Sequence, residues 1–358
     1  MKTRAQIIVE EDIQAVVADI DRATWQKLEG KNFLITGPQG MIAAYIVNTI
    51  EFLNRHILQK PCTVIGLARS PIDPNGIIGH TLSSIPFHYF YNASDINCRL
   101  NTCDYVIHAA GRSAPQVFVD DPIGTIDINT IMLQWLLESA VHYKMSRFVW
   151  FSSAEIYGSP ADKNIPTPES YPGMTDSIGP RSCYTESKRC GEALCMAYYR
   201  KYQVPITIFR PMLVYGPGLT LEDKRVMAEF IKMGLTKPPI VLKDEGLTSR
   251  AYCYITDAMR LFWQAFFSSR AIGEVFNMAN SQEETSIFSL ACDVHSLCNI
   301  KQPVQITTIK NENVALSSAP LRVCASTKKA REFFDYNPIV SLREGLARTI
   351  DWNRLRLE

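Results

Sequence analysis

Four side chains in this 358-residue chain could carry chemistry together. Tyr184 and Lys188 stand four apart in "RSCYTESKRCGEAL", a helical pattern, so both lie on one face. A free tyrosine has a pKa of about 10 and is a poor base at neutral pH. A neighbouring cation favours the phenolate and lets Tyr184 act as a general base. Ser153 closes the apolar run "RFVWFSS" and could bond the same substrate hydroxyl. In "SSAEIYG" (152–158) a small apolar residue, Ala154, separates Ser153 from the lone carboxylate of Glu155. Glu155 fits a base or a polar partner for substrate; its plainer reading is an N-cap or loop contact. A Tyr-x-x-x-Lys pair is common by chance, so its weight depends on the elements that position it.

Those elements are legible. Short apolar runs alternate with helical patterns: "NFLIT" (32–36), a helix over about 40–54, "CTVIGLA" (62–68), "YVIHAA" (105–110), a helix over about 122–143, "RFVWFSS" (147–153), a long helix over about 182–202, and "PITIFRP" (205–211). The alternation predicts parallel βαβ units in an α/β fold, a Rossmann-type doubly wound parallel sheet. Residues 1–30 read as an N-terminal helical extension, one amphipathic helix with acidic residues early. Residues 31–212 read as the dinucleotide-binding domain. Residues 213–358 read mainly as a smaller C-terminal α/β substrate lobe, with the chain crossing back. Ligands in open α/β sheets bind at the carboxyl ends of the strands.

"LITGPQGMIAAYIVNTIEFL" runs strand, glycine turn, helix, with Gly37, Gly40 and Ala43 in a G-x-x-G-x-x-A pattern. One glycine permits the tight turn, the next lets the backbone approach a pyrophosphate, and a small third residue lets helix and strand pack closely. The pyrophosphate would rest on the helix N-terminus. Gln39, Met41, Ala109 and Ala110 join the expected cofactor contacts, with Tyr184 and Lys188. The following strand ends "VIGLARS", so Arg69 stands where a carboxylate usually bonds the ribose of NAD. Arg69 either holds a 2′-phosphate or is a solvated surface charge, which leaves NAD and NADP both open.

With "HAAGRSAP", "DPIGTIDINT", "SSAEIYG", "GPRSCYTESKR", "RPMLVYGPG", "SRAYCYITD" and "GEVFNMAN" in place, the chain from Lys31 onward resembles the extended short-chain dehydrogenases/reductases that act on nucleotide sugars. "GPRSCY-x-E-x-KR" and "R-x-Y-C-Y-I-x-D" are most similar to UDP-glucuronate decarboxylases. The resemblance implies a catalytic set of Ser153, Tyr184 and Lys188, and a tightly bound, recycled NAD or NADP. It also implies a nucleoside-diphosphate sugar held by Arg250 and Arg322, with Arg112 and Arg225 as further substrate contacts, and a homodimer built through a helix pair. An arginine fork suits the diphosphate. Two positions depart from the family pattern: Leu213 replaces a common Asn, and Ser326 a common Asp.

Enzymes of this kind first oxidise the sugar at C4, after which epimerisation, decarboxylation or dehydration can follow. Alanine cannot donate a proton, so Ala154 argues against the common dehydratase arrangement and weakens the decarboxylase one. C4 epimerisation is the narrow first expectation. A decarboxylase-like or 4,6-dehydratase-like lyase is the alternative. Further readings are a non-catalytic dinucleotide sensor and a ketosugar reductase that consumes NADPH. Lys+Arg is 37 against Asp+Glu 36, which gives no bulk charge for nucleic acid or a membrane surface. No apolar run is long enough to span a bilayer, no secretory leader is evident, and a cytoplasmic location is expected. Ten cysteines without C-x-x-C or zinc-like spacing predict reduced thiols and no metal. His108, at a strand end, is expected to be structural.

Overall fold

The computed structural model describes residues 3–81, 85–91, 93–111, 115–307 and 320–357. Six strands, β1 (Asn32–Thr36), β2 (Thr63–Leu67), β3 (Phe87–Phe90), β4 (Tyr105–His108), β5 (Arg147–Phe151) and β6 (Ile206–Pro211), join a seventh, Glu274–Met278. The spatial order is Glu274–Met278, β6, β5, β4, β1, β2, β3, all parallel. β1 lies between β2 and β4, with Thr36 opposite Leu67 on one side and His108 on the other. The strand order reverses there, so a crevice opens beyond the carboxyl ends of β1 and β4.

The central strands read as unbroken apolar runs because both sheet faces are covered. Alternate side chains feed two cores. Phe33, Ile35, Ile107, Val149 and Phe151 enter one, and Leu34, Val106, Phe148 and Trp150 enter the other. The edge strand β3, "FHYF", is only half covered and lacks that signal, which is why sequence reading passes over it. Glu274–Met278 brings the chain back to the main sheet after a smaller lobe. That lobe contains Ser249–Ala251, paired antiparallel to Glu284–Ser286 and parallel to Arg322–Val323.

Two expected helices differ in detail. The amino-terminal segment forms α1 (Arg4–Ala18) and α2 (Arg22–Gln26) rather than one helix. Asp21 takes the Thr24 N–H at 2.9 Å and starts the second helix, and Trp25 is fully buried, donating Nε1–H to the Val17 carbonyl at 3.0 Å. The helix expected over 122–143 contains a π turn at Ile128–Met132 between Pro122–Asp127 and Leu133–His142. π turns of this kind recur at functional sites. Here the Ile128 carbonyl accepts from His108 Nε2 at 3.0 Å, tying the irregular turn to the end of β4.

Candidate active site

β1 ends at Thr36, and the chain turns through Gly37 into α3 (Met41–His56). Gly37 has φ +63°, and a Cβ there would lie 2.8 Å from the Ala110 Cα. Only glycine fits such a position. Gly40 caps α3 without a side-chain hydrogen bond, which leaves first-turn N–H groups at the positive end of the helix dipole for an anionic ligand. Ala43 is buried against the sheet. This cradle fits a dinucleotide pyrophosphate. Gln39 has its side chain committed within the protein. Its amide donates to Ser70 and Pro71 carbonyls at 3.4 and 3.2 Å, and its Oε1 takes the Asp73 N–H at 2.9 Å, fastening the turn to the loop after β2. Met41 packs beside Gly218, and Arg69 is exposed just beyond β2.

Ala109 and Ala110 follow β4 at the same edge. The Ala110 N–H donates to Thr36 Oγ1 at 3.0 Å, and the Thr36 hydroxyl contacts His108 Nδ1 at 2.7 Å. A carbonyl can only accept, so His108 carries its proton on Nε2, facing Ile128, and accepts at Nδ1 from Thr36. Burial lowers the imidazole pKa to about 3, so it stays neutral. His108 is the structural histidine expected, and it fixes the strand ends that form the cradle.

Beyond β5, Ser153 Oγ takes the Glu155 N–H at 3.1 Å and starts a short 3-10 turn, Ala154–Tyr157. The cap is therefore Ser153, and Glu155 keeps its carboxylate for another partner. That partner is Arg181, whose Nη2 lies 2.5 Å from Glu155 Oε2. Tyr184 and Lys188 come from the helix Ser182–Tyr202 and are both buried. The Ser153 hydroxyl is close enough to the Tyr184 phenol to favour its ionised form. Lys188 donates from Nζ to the Phe151 carbonyl at 2.7 Å and sits 5.0 Å from the Trp150 ring centroid and 5.9 Å from that of Tyr184.

Burial raises Tyr184 to about 12, and the Glu155 charge adds to the rise, against the opposing pull of Ser153, Arg225 and Arg181. Burial also lowers Lys188 to about 7, so its ammonium is a weakened cation at neutral pH. Lys188 alone does not make Tyr184 a base.

The profile of the NAD dependent epimerase/dehydratase family matches residues 33–279. The chain belongs to this family. It is 32% identical over 254 residues to UDP-glucuronic acid decarboxylase 6 of Arabidopsis thaliana, covering 71% of each chain. The UDP-glucose 4-epimerase of Thermotoga maritima, solved with UDP-glucose, superposes with a TM-score of 0.76 at 22% identity, covering 91% of this chain and 100% of that one. The UDP-glucuronic acid 4-epimerase of Bacillus cereus, solved with UDP-glucuronic acid and NAD, gives 0.74 at 23% identity, with coverage of 91% and 100%. Membership makes this an enzyme of the NAD-dependent epimerase/dehydratase type, and the Gly37–Gly40 cradle is where its residues fit NAD.

Around the epimerase/dehydratase core, the arginines are less free than their sequence suggests. Arg225 is forked onto Asp223, with Nη2–Oδ2 at 2.7 Å, and Arg322 onto Glu284, with Nε–Oε1 at 2.6 Å. Arg250 donates to the Ser249 and Leu321 carbonyls at 2.7 and 3.2 Å, and its charge reaches both Glu155 and Arg181. Arg112 lies outside the described residues. Leu213 has φ +42°, a conformation that Asn tolerates and a branched apolar side chain does not favour. An Asn there, as the resemblance led one to expect, would fit this backbone with less strain. Ser326 Oγ accepts from the Lys328 N–H at 3.2 Å, just before the helix Lys328–Phe334. Sequence reading missed Asn129, on the π turn, which donates from Nδ2 to Ser187 Oγ at 2.9 Å and couples that turn to the helix bearing Tyr184.

Proposed function

We propose that the protein epimerises a nucleoside-diphosphate sugar at C4 by transient oxidation there. One observation carries this reading: Ser153, Tyr184 and Lys188 meet at the end of β5, while the neighbouring position is a buried alanine and Glu155 is engaged by Arg181. The set can remove a hydroxyl proton, and position 154 offers no acid to expel water. Ser153 holds the C4 hydroxyl, and Tyr184 takes its proton as phenolate. NAD, when held at the Gly37–Gly40 cradle, would supply hydride acceptance and return at C4, and its positive charge would help the buried phenol ionise. Tyr184 returns the proton when the hydride arrives on the other face of the ketone. Arg250 is the nearest match for the diphosphate. Arg225 and Arg322 must share or leave their carboxylates to join it.

In this reading residues 31–212 hold the cofactor, residues 213–358 mainly hold the sugar, and residues 1–30 pack against both. Ile123 and Ile131, both 67% exposed along Pro122–Met132, support pairing of two subunits through that helix. Decarboxylation of a uronate is the second reading, favoured by the likeness to the Arabidopsis decarboxylase. A panel of UDP-, GDP-, CDP- and dTDP-sugars, including UDP-glucuronate, separates the two by product mass. An isomeric product supports epimerisation, and release of CO2 with a pentose product replaces it with decarboxylation. Tight NAD binding with no turnover of any sugar would leave a dinucleotide-binding protein without this chemistry. Arg69→Ala tests the ribose end: a fall in NADP affinity alone assigns Arg69 to a 2′-phosphate, and unchanged affinity for both cofactors leaves it a surface charge.

A further inference from the structure

Arg181 stands at the start of the helix that carries Tyr184, and nothing in the motif reading gave it a task. Two contacts of its guanidinium matter here. On one side it pairs with Glu155. On the other its Cζ lies 5.6 Å from the centroid of Phe118. The Phe118 ring is fully buried and stacks on Tyr184 at 5.0 Å with an interplanar angle of 11°. The Phe118 carbonyl in turn accepts from Cys183 Sγ at 3.5 Å. Phe118 therefore stacks on Tyr184 and also contacts the Arg181 guanidinium, which is tied to Glu155.

From this stack we infer that Arg181 is a positioning residue for the C4 oxidation, neutralising Glu155 beside the base and clamping Phe118 flat on the Tyr184 ring. The inference rests on the proposed C4 chemistry. In that step the O4–H bond breaks and its proton goes to the Tyr184 oxygen. The C4–H electron pair leaves as hydride to NAD, and C4–O becomes a carbonyl. Negative charge grows on Tyr184 as the proton is lost from the resting phenol, so an unpaired carboxylate nearby opposes ionisation. The charges facing Tyr184 are Glu155, Arg181 and Arg225, with Lys188 on its own helix, and Arg225 is already offset by Asp223. Those facing Glu155 are Arg181 and Arg250. Arg181 is thus the group that offsets Glu155 most directly. Its planar fork also suits a face-on contact with an aromatic ring, which a lysine matches less well.

The test is the pH profile of single-turnover oxidation by the NAD-loaded protein, followed by nicotinamide absorbance with UDP-glucose and UDP-glucuronate as probes. Arg181→Ala should move the acidic limb to higher pH by about one unit, a roughly tenfold loss at neutral pH. Arg181→Lys keeps the charge and should hold the limb close to wild type, and it also guards against a variant that fails to fold. Glu155→Gln combined with Arg181→Ala should bring the limb back, because the uncompensated carboxylate is gone. An unmoved limb with only a raised KM in Arg181→Ala would make Arg181 a substrate contact and overturn the inference while leaving the C4 reaction standing. A double variant that stays shifted would overturn it equally. Wild-type protein that oxidises neither of these sugars nor any other member of the UDP-, GDP-, CDP- and dTDP-sugar panel removes the C4 reading itself, and Arg181's role with it.

Discussion

Tyr184 is where the chemistry is most exposed to test. Its helix spacing from Lys188 and the serine at the end of β5 were legible in sequence because each is a local pattern. The electrical state was not legible, because burial is a property of the assembled fold. Burial raises the Tyr184 phenol to about 12 and lowers Lys188 to about 7, opposite to what two exposed neighbours would do. Tyr184→Phe keeps the ring stacked on Phe118 and deletes the ionisable oxygen. Turnover should fall by about two orders of magnitude or more with the unfolding midpoint nearly unchanged, as measured by steady-state rates beside a denaturant titration. A variant with near-normal turnover would remove Tyr184 as the base. The pairing of Arg225 with Asp223 lay two residues away in sequence and could have been read there. That of Arg322 with Glu284 depends on both flanking Ser249–Ala251, which no local pattern shows.

The turn between β1 and α3 gives two glycines that look alike in sequence and differ in structure. Gly37→Ala would force a Cβ to 2.8 Å from the Ala110 Cα at φ +63° and should cost about 1–3 kcal/mol of stability. A Cβ at Gly40 would meet protein no closer than 3.4 Å, so Gly40→Ala should fold normally and lose NAD affinity by calorimetry. Equal losses of stability in both would contradict the cradle geometry. The strand ends carry a second prediction. Burial holds His108 at a pKa of about 3, below its ordinary value of 6.5, so between these two pH values the unfolded chain binds more protons than the folded one. Stability from this group is complete above the unfolded pKa and is lost as pH falls toward the folded one, at up to about 1.4 kcal/mol per pH unit. His108→Gln should flatten that slope in denaturant melts taken across the window. The strand and its histidine were readable from "YVIHAA"; the carbonyl that fixes its tautomer sits on a π turn that helical periodicity does not mark.

At the scale of the whole molecule, the amino-terminal extension is wired into both ends of the chain. Asp12 is buried on α1 and accepts from Tyr45 on α3 at 2.6 Å, from Tyr254 at 2.8 Å and from Arg348 of the C-terminal helix Leu342–Arg354 at 2.9 Å. Removing one member of such a cluster strands the others, so Asp12→Ala should cost about 3 kcal/mol, read as a lower urea midpoint at unchanged slope. A change below about half a kcal/mol would mean that α1 only rests on the fold. Amphipathic periodicity announced this helix but not its polar anchor, since Tyr45 lies 33 residues from Asp12 and Tyr254 and Arg348 lie 242 and 336 residues away. The doubly wound sheet was readable because apolar runs and helices alternate; that the chain crosses back was expected, but not that Glu274–Met278 makes the return as a seventh parallel strand, because a lone strand after a mixed lobe has no periodic signal of its own. The central claim concerns the hydrogen on C4 of the sugar. UDP-glucose and UDP-glucuronate carrying deuterium at C4, converted by the NAD-loaded protein in ordinary water, put the question directly. Product that retains deuterium at C4, with no net reduced nicotinamide, is the expected result. Loss of that deuterium to solvent, or reduced nicotinamide accumulating in step with product, would contradict it.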